Sequence, residues 1–377
     1  MVFTFPAPRP RDVIPDCIIV GGGIIGLLTA RELAQAGQRV IILERGEKIG
    51  GEASWAGGGV LASLYPWQTP QPVQALIRWS RAYYPHLAQE LANTTAVDPE
   101  WTQSGLLALD TEYRCEALNW ASQTGEIIEY VEAERLKALE PCIGIAHRGA
   151  LWLPELAQIR NPRLLKALSI ALENSGVSVF KHTEVQAITS SRGDRVEGLR
   201  TTRGTFVAGS VIIAAGAWSG TLLEGFSYKP EIVPVRGQMI VYRIPPGFVQ
   251  HLLLKQDCYI IPRRDGHLLV GSTVEYVGFD KSTTEEARRT LEAGARQIIP
   301  GLADHRVVEQ WAGLRPRALQ AIPFIGPHPD IKNLYLNCGH FRNGLAAGPA
   351  SARLLVDFML ERTPILPPEP FAWDRDL

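Results

Sequence analysis

The apolar pattern of the chain begins with a βαβ signature. Asp16-Cys-Ile-Ile-Val20 is a short β-branched run that reads as a buried strand. The turn Gly21-Gly-Gly-Ile-Ile-Gly26 follows, and Leu27, Leu28, Ala30, Leu33 and Ala34 then recur at helical spacing until Gly37. Arg39-Val-Ile-Ile-Leu43 is a second strand ending at Glu44. Residues 50–70 are rich in Gly, Ala, Ser and Pro and read as a long structured loop. Residues 73–92 read as a helix strained or broken at Pro85, and 100–140 as mixed structure with a short helix near 133–139.

Asn161-Pro162 predicts a helix start, with Asn as the N-cap and Pro at the first helical position; that helix runs to Asn174 and stops at Gly176. Short strands are expected at 177–180, 184–189, 195–201 and 204–208. Val211-Ile-Ile-Ala-Ala215 is continuously apolar, as a strand buried on both faces should be. Strands at 232–243, 257–263 and 267–273 follow, the last two joined across Arg264-Asp-Gly266. A helix at 284–298, strand-like stretches at 306–314 and 334–338, and a last helix over 345–361 complete the reading. Parallel-type strands recur near 211 and 334, far from the βαβ start. The nucleotide-binding domain is therefore expected to be discontinuous, with a strand-rich block inserted into it.

Composition narrows the class. The 377 residues are 46% hydrophobic and 20% charged, which excludes disorder along the whole chain. Thirty-eight Lys and Arg against thirty-nine Asp and Glu give a net charge of -1, which speaks against a nucleic-acid partner. Five Cys, with no C-x-x-C pair, give no disulfide framework and suit a reducing, cytoplasmic setting. Met1 to Asp16 has no apolar core of a signal peptide, and the charge-free stretch 53–77 is too rich in Gly, Pro and Gln for a membrane span. The eight His do not cluster with carboxylates, so no metal is implied.

Five segments carry candidate chemistry. Gly21, Gly23 and Gly26 form G-x-G-x-x-G between a strand and a helix: a tight turn, a close approach for a pyrophosphate, and close helix–strand packing. The helix N-terminus faces the phosphates, and Glu44 is placed to accept ribose hydroxyls. The segment Gly51 to Gly59 supplies three successive glycines, either a flexible loop or a second cofactor contact. The apolar strand ending in Ala215-Gly216 is a further contact or a plain buried turn; with the first motif it favours FAD over NAD. Gly339-His-Phe-Arg-Asn-Gly344 precedes the last helix, whose N-terminus could stabilise negative charge on a reduced flavin. Arg315, in Trp311-Ala-Gly-Leu-Arg-Pro316, is either a surface residue or a partly buried guanidinium that needs an anion. Tyr259, in Asp257-Cys-Tyr-Ile-Ile-Pro-Arg263, is either core or a hydrogen-bonding aid to that anion.

Taken together, Ile-Val-Gly-Gly-Gly-Ile-Ile-Gly (19–26), Glu-Ala-Ser-Trp-Ala-Gly-Gly (52–58), Cys-Tyr-Ile-Ile-Pro-Arg (258–263), Trp-Ala-Gly-Leu-Arg-Pro (311–316) and Gly-His-Phe-Arg-Asn-Gly (339–344) resemble, in matching order over nearly the whole chain, the glycine oxidases, the thiamine-pathway branch of the D-amino-acid oxidase flavoenzymes. The resemblance implies an α/β two-domain flavoprotein with a discontinuous Rossmann-like FAD-binding domain (12–90, 156–224 and 308–377) and an inserted, mostly antiparallel substrate domain (91–155 and 225–307). It implies non-covalent FAD and oxidation of a small amino acid such as glycine to its imine and then glyoxylate. Ammonia is released, and molecular oxygen is reduced to hydrogen peroxide. The expected chemistry is direct hydride transfer from the substrate Cα to the flavin, without a side-chain base.

By motif match, Arg315 would clamp the substrate carboxylate, Tyr259 would assist, and Arg342 would lie at substrate and flavin. Gly21, Gly23, Ile24, Ile25, Gly26, Glu44, Arg45, Glu52, Ala53, Gly57, Gly58, Gly59, Val185, Gly216 and the loop His340, Phe341, Arg342, Asn343, Gly344, Leu345 and Ala346 would contact FAD. Asp257 departs from the family pattern, where His is expected beside the Cys-Tyr pair, and alters the charge at the pocket mouth. With its end near residue 377, the chain is expected to lack the fused thiazole synthase of some relatives. A sarcosine or D-amino-acid oxidase or dehydrogenase of the same family is the nearest alternative, and a flavoprotein acting on modified tRNA a remoter one. No membrane partner is expected, and a homo-oligomer is left open.

Overall fold

The computed structural model describes residues 14–190, 194–226 and 228–375; the N-terminal stretch before Ile14 and the expected domain limits at 12 and 377 lie outside them. At the centre is a six-stranded sheet in the order Phe324–Pro327, Leu334–Cys338, Ser210–Ile213, Cys17–Val20, Val40–Leu43, Ser178–Phe180. All neighbours are parallel except the first pair. Its strands are apolar on both faces because both faces are covered. Cys17, Ile19, Val40, Ile42 and Ile212 pack under the helices Ile24–Gln35, Gln71–Thr95, Asn161–Asn174 and Gly348–Met359. Their neighbours Ile18, Val20, Leu43, Val211 and Ile213 meet Val185, Leu199 and Phe206 of a small antiparallel sheet, Val185–Thr189, Gly198–Thr201 and Gly204–Phe206.

An eight-stranded sheet forms the second lobe, in the order Val307–Ala318, Ile232–Arg243, His267–Gly271, Cys258–Pro262, Leu252–Lys255, Leu106–Ala108, Gly149–Leu153, Glu129–Glu132. It is antiparallel throughout except where Leu252–Lys255 runs parallel to Leu106–Ala108. The helix Glu285–Ile298 seals one face, with Leu291, Ala295 and Ile298 against Ile240, Ile260 and Val270. The fold is thus the expected two-part α/β arrangement, with the antiparallel sheet threaded into the Rossmann-like one.

Four local expectations are corrected. The helix Gln71–Thr95 continues through Pro85 rather than breaking there; Tyr84 and Leu87 on either side are fully buried, and this packing outweighs the missing N–H. Asn161 is not an N-cap but the first helical residue, and its side-chain amide is spent elsewhere, as described below. The last helix starts at Gly348, after a run of turns, not at 345. The strand expected to end at 314 runs on to Ala318 and pairs with Ile232–Arg243 along its length. By strand pairing, residues 308–318 lie in the eight-stranded sheet.

Candidate active site

A cavity of about 740 Å³ lies between the two sheets. Its floor is the first βα turn. Gly21 leaves the first strand with φ at +111°, and a Cβ there would lie 2.5 Å from the Ala214 carbonyl oxygen, so only glycine makes this turn. Gly23, before the helix Ile24–Gln35, brings no capping side chain of its own, and the positive helix end faces the cavity. Ser54 Oγ accepts from the Ile24 N–H at 2.9 Å and ties the second glycine-rich segment to this helix. Glu44, at the end of the second strand, accepts from the Gly22 and Gly46 N–H groups at 2.8 and 2.7 Å. Both carboxylate oxygens retain lone pairs for ribose hydroxyls.

The segment Gly57–Gly59 crosses the cavity between the lobes. Gly59 has φ at +79°, and a Cβ there would meet the Ile159 carbonyl oxygen at 2.1 Å. Two buried side chains, for which the sequence suggested no such role, hold this segment. Asn161 Nδ2 donates to the Ser54 and Gly57 carbonyls at 2.8 and 3.0 Å, while its Oδ1, beside the cavity, has no protein partner. Arg263, 7% exposed, donates to the Gly58 carbonyl at 2.8 Å, to the Ile159 carbonyl at 3.0 Å and to Gln158 Oε1 at 2.8 Å. Burial pulls its pKa down to about 10, with neighbouring Arg160 acting in the same direction.

Most of the expected residues come together on this one cavity. Gly21, Gly23, Ile24, Ile25, Glu44, Arg45, Glu52, Ala53, Gly57, Gly58, Gly59, Val185, Gly216, Tyr259, Arg315 and His340 through Leu345 all line it. Gly26 and Ala346 do not. A Cβ at Gly26 would lie 2.0 Å from the Gly21 carbonyl, so this glycine serves packing beneath the turn. Ala346 is buried in the helical core behind the loop. At one rim the Arg45 guanidinium stacks 3.6 Å over Trp218 and pairs with Glu52 at 3.4 Å; Lys281 reaches Glu52 at 2.9 Å from the other lobe.

The substrate end has its own electrostatics. Arg315, on the strand Val307–Ala318, is partly buried, and its polar partners are all neutral. Nη1 donates to the Thr273 carbonyl at 3.0 Å and the Arg236 carbonyl at 3.5 Å, and Nη2 to Ser272 Oγ at 2.5 Å. Among the described residues no carboxylate lies within ion-pair distance of it. Burial lowers its pKa from the ordinary value; Tyr259 and Asp257 oppose this and Arg342 adds to it. Tyr259 is packed edge-on between Gly58 and Gly271, with its hydroxyl 3.9 Å from Met239 Sδ. Arg342 turns toward solvent and pairs with Asp257 at 3.3 Å, the two side chains 30% and 78% exposed. His340 is buried, its Nε2 2.9 Å from Ser351 Oγ, and desolvation presses its pKa down to about 3, so the imidazole is neutral. Cys338, also on the cavity wall, is buried with its thiol pushed up to about 12 and stays protonated. Among the described residues no group of three or more His, Cys, Asp and Glu could hold a metal ion, and no helix is long and apolar enough to cross a membrane.

The residues present fit FAD: a glycine turn at a helix N-terminus for the pyrophosphate, a carboxylate for ribose, a long wall of backbone for the rest, and an unpaired Asn161 oxygen beside it. Known proteins agree. The glycine oxidase of Pseudomonas aeruginosa is 46% identical over 94% of this chain and 97% of its own length. The crystal structure of glycine oxidase from Geobacillus kaustophilus superposes with a TM-score of 0.91 at 31% identity, covering 96% of this chain and 99% of that one. The bifunctional protein ThiO/ThiG of Trichormus variabilis is 32% identical over 92% of this chain, which spans 53% of that longer protein. Residues 16–358 match the family model described as FAD dependent oxidoreductase, and with these relatives the match shows that the chain belongs to the FAD-dependent oxidoreductase family.

Proposed function

We propose that this chain catalyses the FAD-dependent oxidative deamination of glycine and other small amino acids, converting glycine, oxygen and water to glyoxylate, ammonia and hydrogen peroxide by way of the imine. The observation that carries the reading is Arg315: a partly buried guanidinium on the wall of a dinucleotide-sized cavity, bonded only to neutral acceptors. A cation so placed attracts an anion, and its forked donors suit a carboxylate. FAD, when bound, supplies a two-electron acceptor that oxygen regenerates with release of hydrogen peroxide.

The chain's own residues supply binding and alignment. Arg315 holds the carboxylate, and Tyr259, fixed between two glycines, presents its hydroxyl to the same region. Held there, the substrate's Cα has a fixed position relative to the cradle formed by Gly57–Gly59 and the 340–345 loop. The imine product suits supply to thiazole formation in thiamine synthesis, as the sequence resemblance implies.

The test is spectroscopic. The purified yellow protein, mixed with glycine in the absence of oxygen, should lose its visible flavin absorbance. Peroxide release compared among glycine, sarcosine and D-alanine then ranks the substrates. An unchanged spectrum with all three would overturn the reading.

A further inference from the structure

Ser272 lies beside the Arg315 clamp on the cavity wall. It closes the strand His267–Gly271, is 5% exposed, and lines the cavity together with Gly237, Met239, Tyr259 and Arg315. Its Oγ accepts a hydrogen bond from Arg315 Nη2 at 2.5 Å. A serine hydroxyl also carries one hydrogen to donate. Among the described residues no acceptor takes that hydrogen, and it lies beside a cation on a cavity wall.

The position is rigidly backed. The Ser272 N–H donates to the Asp257 carbonyl at 3.2 Å, and the next residue, Thr273, gives its carbonyl to Arg315 Nη1. Thr273 Oγ1 accepts from the Gln238 N–H at 2.9 Å and donates to Glu275, whose carboxylate is in turn held by buried Arg236. On its other side the guanidinium lies flat on Gly237, where a Cβ would come within 2.2 Å of its nitrogens. Serine and guanidinium are thus fixed as a unit.

We infer that Ser272 is a further substrate-binding residue, whose hydroxyl accepts from Arg315 and donates its own hydrogen to an oxygen of the carboxylate that Arg315 binds. The inference rests on the carboxylate-clamp reading and extends it. One carboxylate oxygen then receives both a charged and a neutral donor, and Arg315 keeps its orientation when no anion is present. A hydrogen bond to a charged group is the strong kind, and its loss is worth roughly tenfold in affinity.

The test uses the FAD-loaded protein and acetate, a carboxylate that cannot be oxidised. Binding is read as a shift of the flavin spectrum. Ser272→Ala should weaken acetate about tenfold and raise KM for glycine by a similar factor, with kcat at saturating glycine within about twofold of the unaltered protein. Ser272→Thr, which keeps a hydroxyl, should recover most of the loss. Unchanged acetate binding in Ser272→Ala overturns the assignment, and so does an equal loss in both variants, which would mark a packing role. If acetate binds normally but glycine does not bleach the unaltered flavin, the oxidation reading falls while the acetate series still decides Ser272. Failure of the unaltered protein to bind acetate overturns the Ser272 assignment together with the carboxylate clamp it rests on.

Discussion

At the scale of single residues, three side chains carry distinct charges of responsibility. Arg315→Ala removes a charge-assisted clamp worth about 1.5–3 kcal/mol, so KM for glycine should rise roughly 10- to 100-fold while flavin content stays constant; an unaltered KM would refute the role. Arg263 touches no part of the reaction space, yet it satisfies two carbonyls and a glutamine oxygen around Gly57–Gly59. Arg263→Met should lower the melting temperature and the fraction of protein purified with bound flavin, by leaving those buried acceptors bare at about 1–3 kcal/mol. His340 sets a pH dependence. Its folded pKa of about 3 lies below the unfolded value of 6.5, so the unfolded chain binds more protons between the two. Stability should therefore fall as pH drops from 6.5 toward 3. Buried His328, also lowered by desolvation, adds to that slope. Thermal melts across this range should show a shallower decline for His340→Gln; identical slopes would remove His340 from the account.

These residues also mark what was legible in the sequence. Gly21, Gly23 and Glu44 could be read because their partners lie within one βαβ unit. Arg315 and Tyr259 stood out only through neighbouring motif residues, and their chemistry stayed open until the cavity was seen. Asn161, Arg263 and Ser272 could not be assigned roles at all. Asn161 and Arg263 act on a loop 104 and 205 residues away, and Ser272 on a guanidinium 43 residues away. Asn161 even carried a misleading local signal, since Asn-Pro is an ordinary helix start.

At the scale of elements, the glycine-rich segment after the second strand is the part whose backbone is least replaceable. Gly59 combines a left-handed φ with a carbonyl oxygen where a Cβ would stand, whereas Gly37, at φ +80°, ends a helix in open space. Gly37→Ala should cost about 1 kcal/mol, from the left-handed conformation alone, and leave flavin content unchanged. Gly59→Ala should displace the segment from Ile159 and Asn161 and yield protein with little flavin. Equal behaviour of the two variants in absorbance and thermal melts would contradict the geometry. The same reasoning applies to the helix through Pro85: the local breaker is visible along the chain, whereas the tertiary contacts that overrule it are not.

At the scale of the whole molecule, the two sheets do not behave as separable blocks. The Phe341 N–H, on the loop after the strand Leu334–Cys338, donates to the Pro316 carbonyl at 2.7 Å, Lys281 bridges to Glu52, and Trp311 Nε1 donates to the Ala56 carbonyl at 3.0 Å. The cavity wall is drawn from both sides of this seam. Denaturant titration should accordingly show flavin release and loss of far-ultraviolet dichroism in a single shared transition. Release of flavin well before the backbone signal changes would mean that one lobe loosens first.

The same seam has an ion pair at its rim, where Arg342 meets Asp257 at 3.3 Å. A pair so exposed is held by less than about 1 kcal/mol and is screened by dissolved salt. Dissolved salt thus loosens this edge of the cavity without any rearrangement of the backbone.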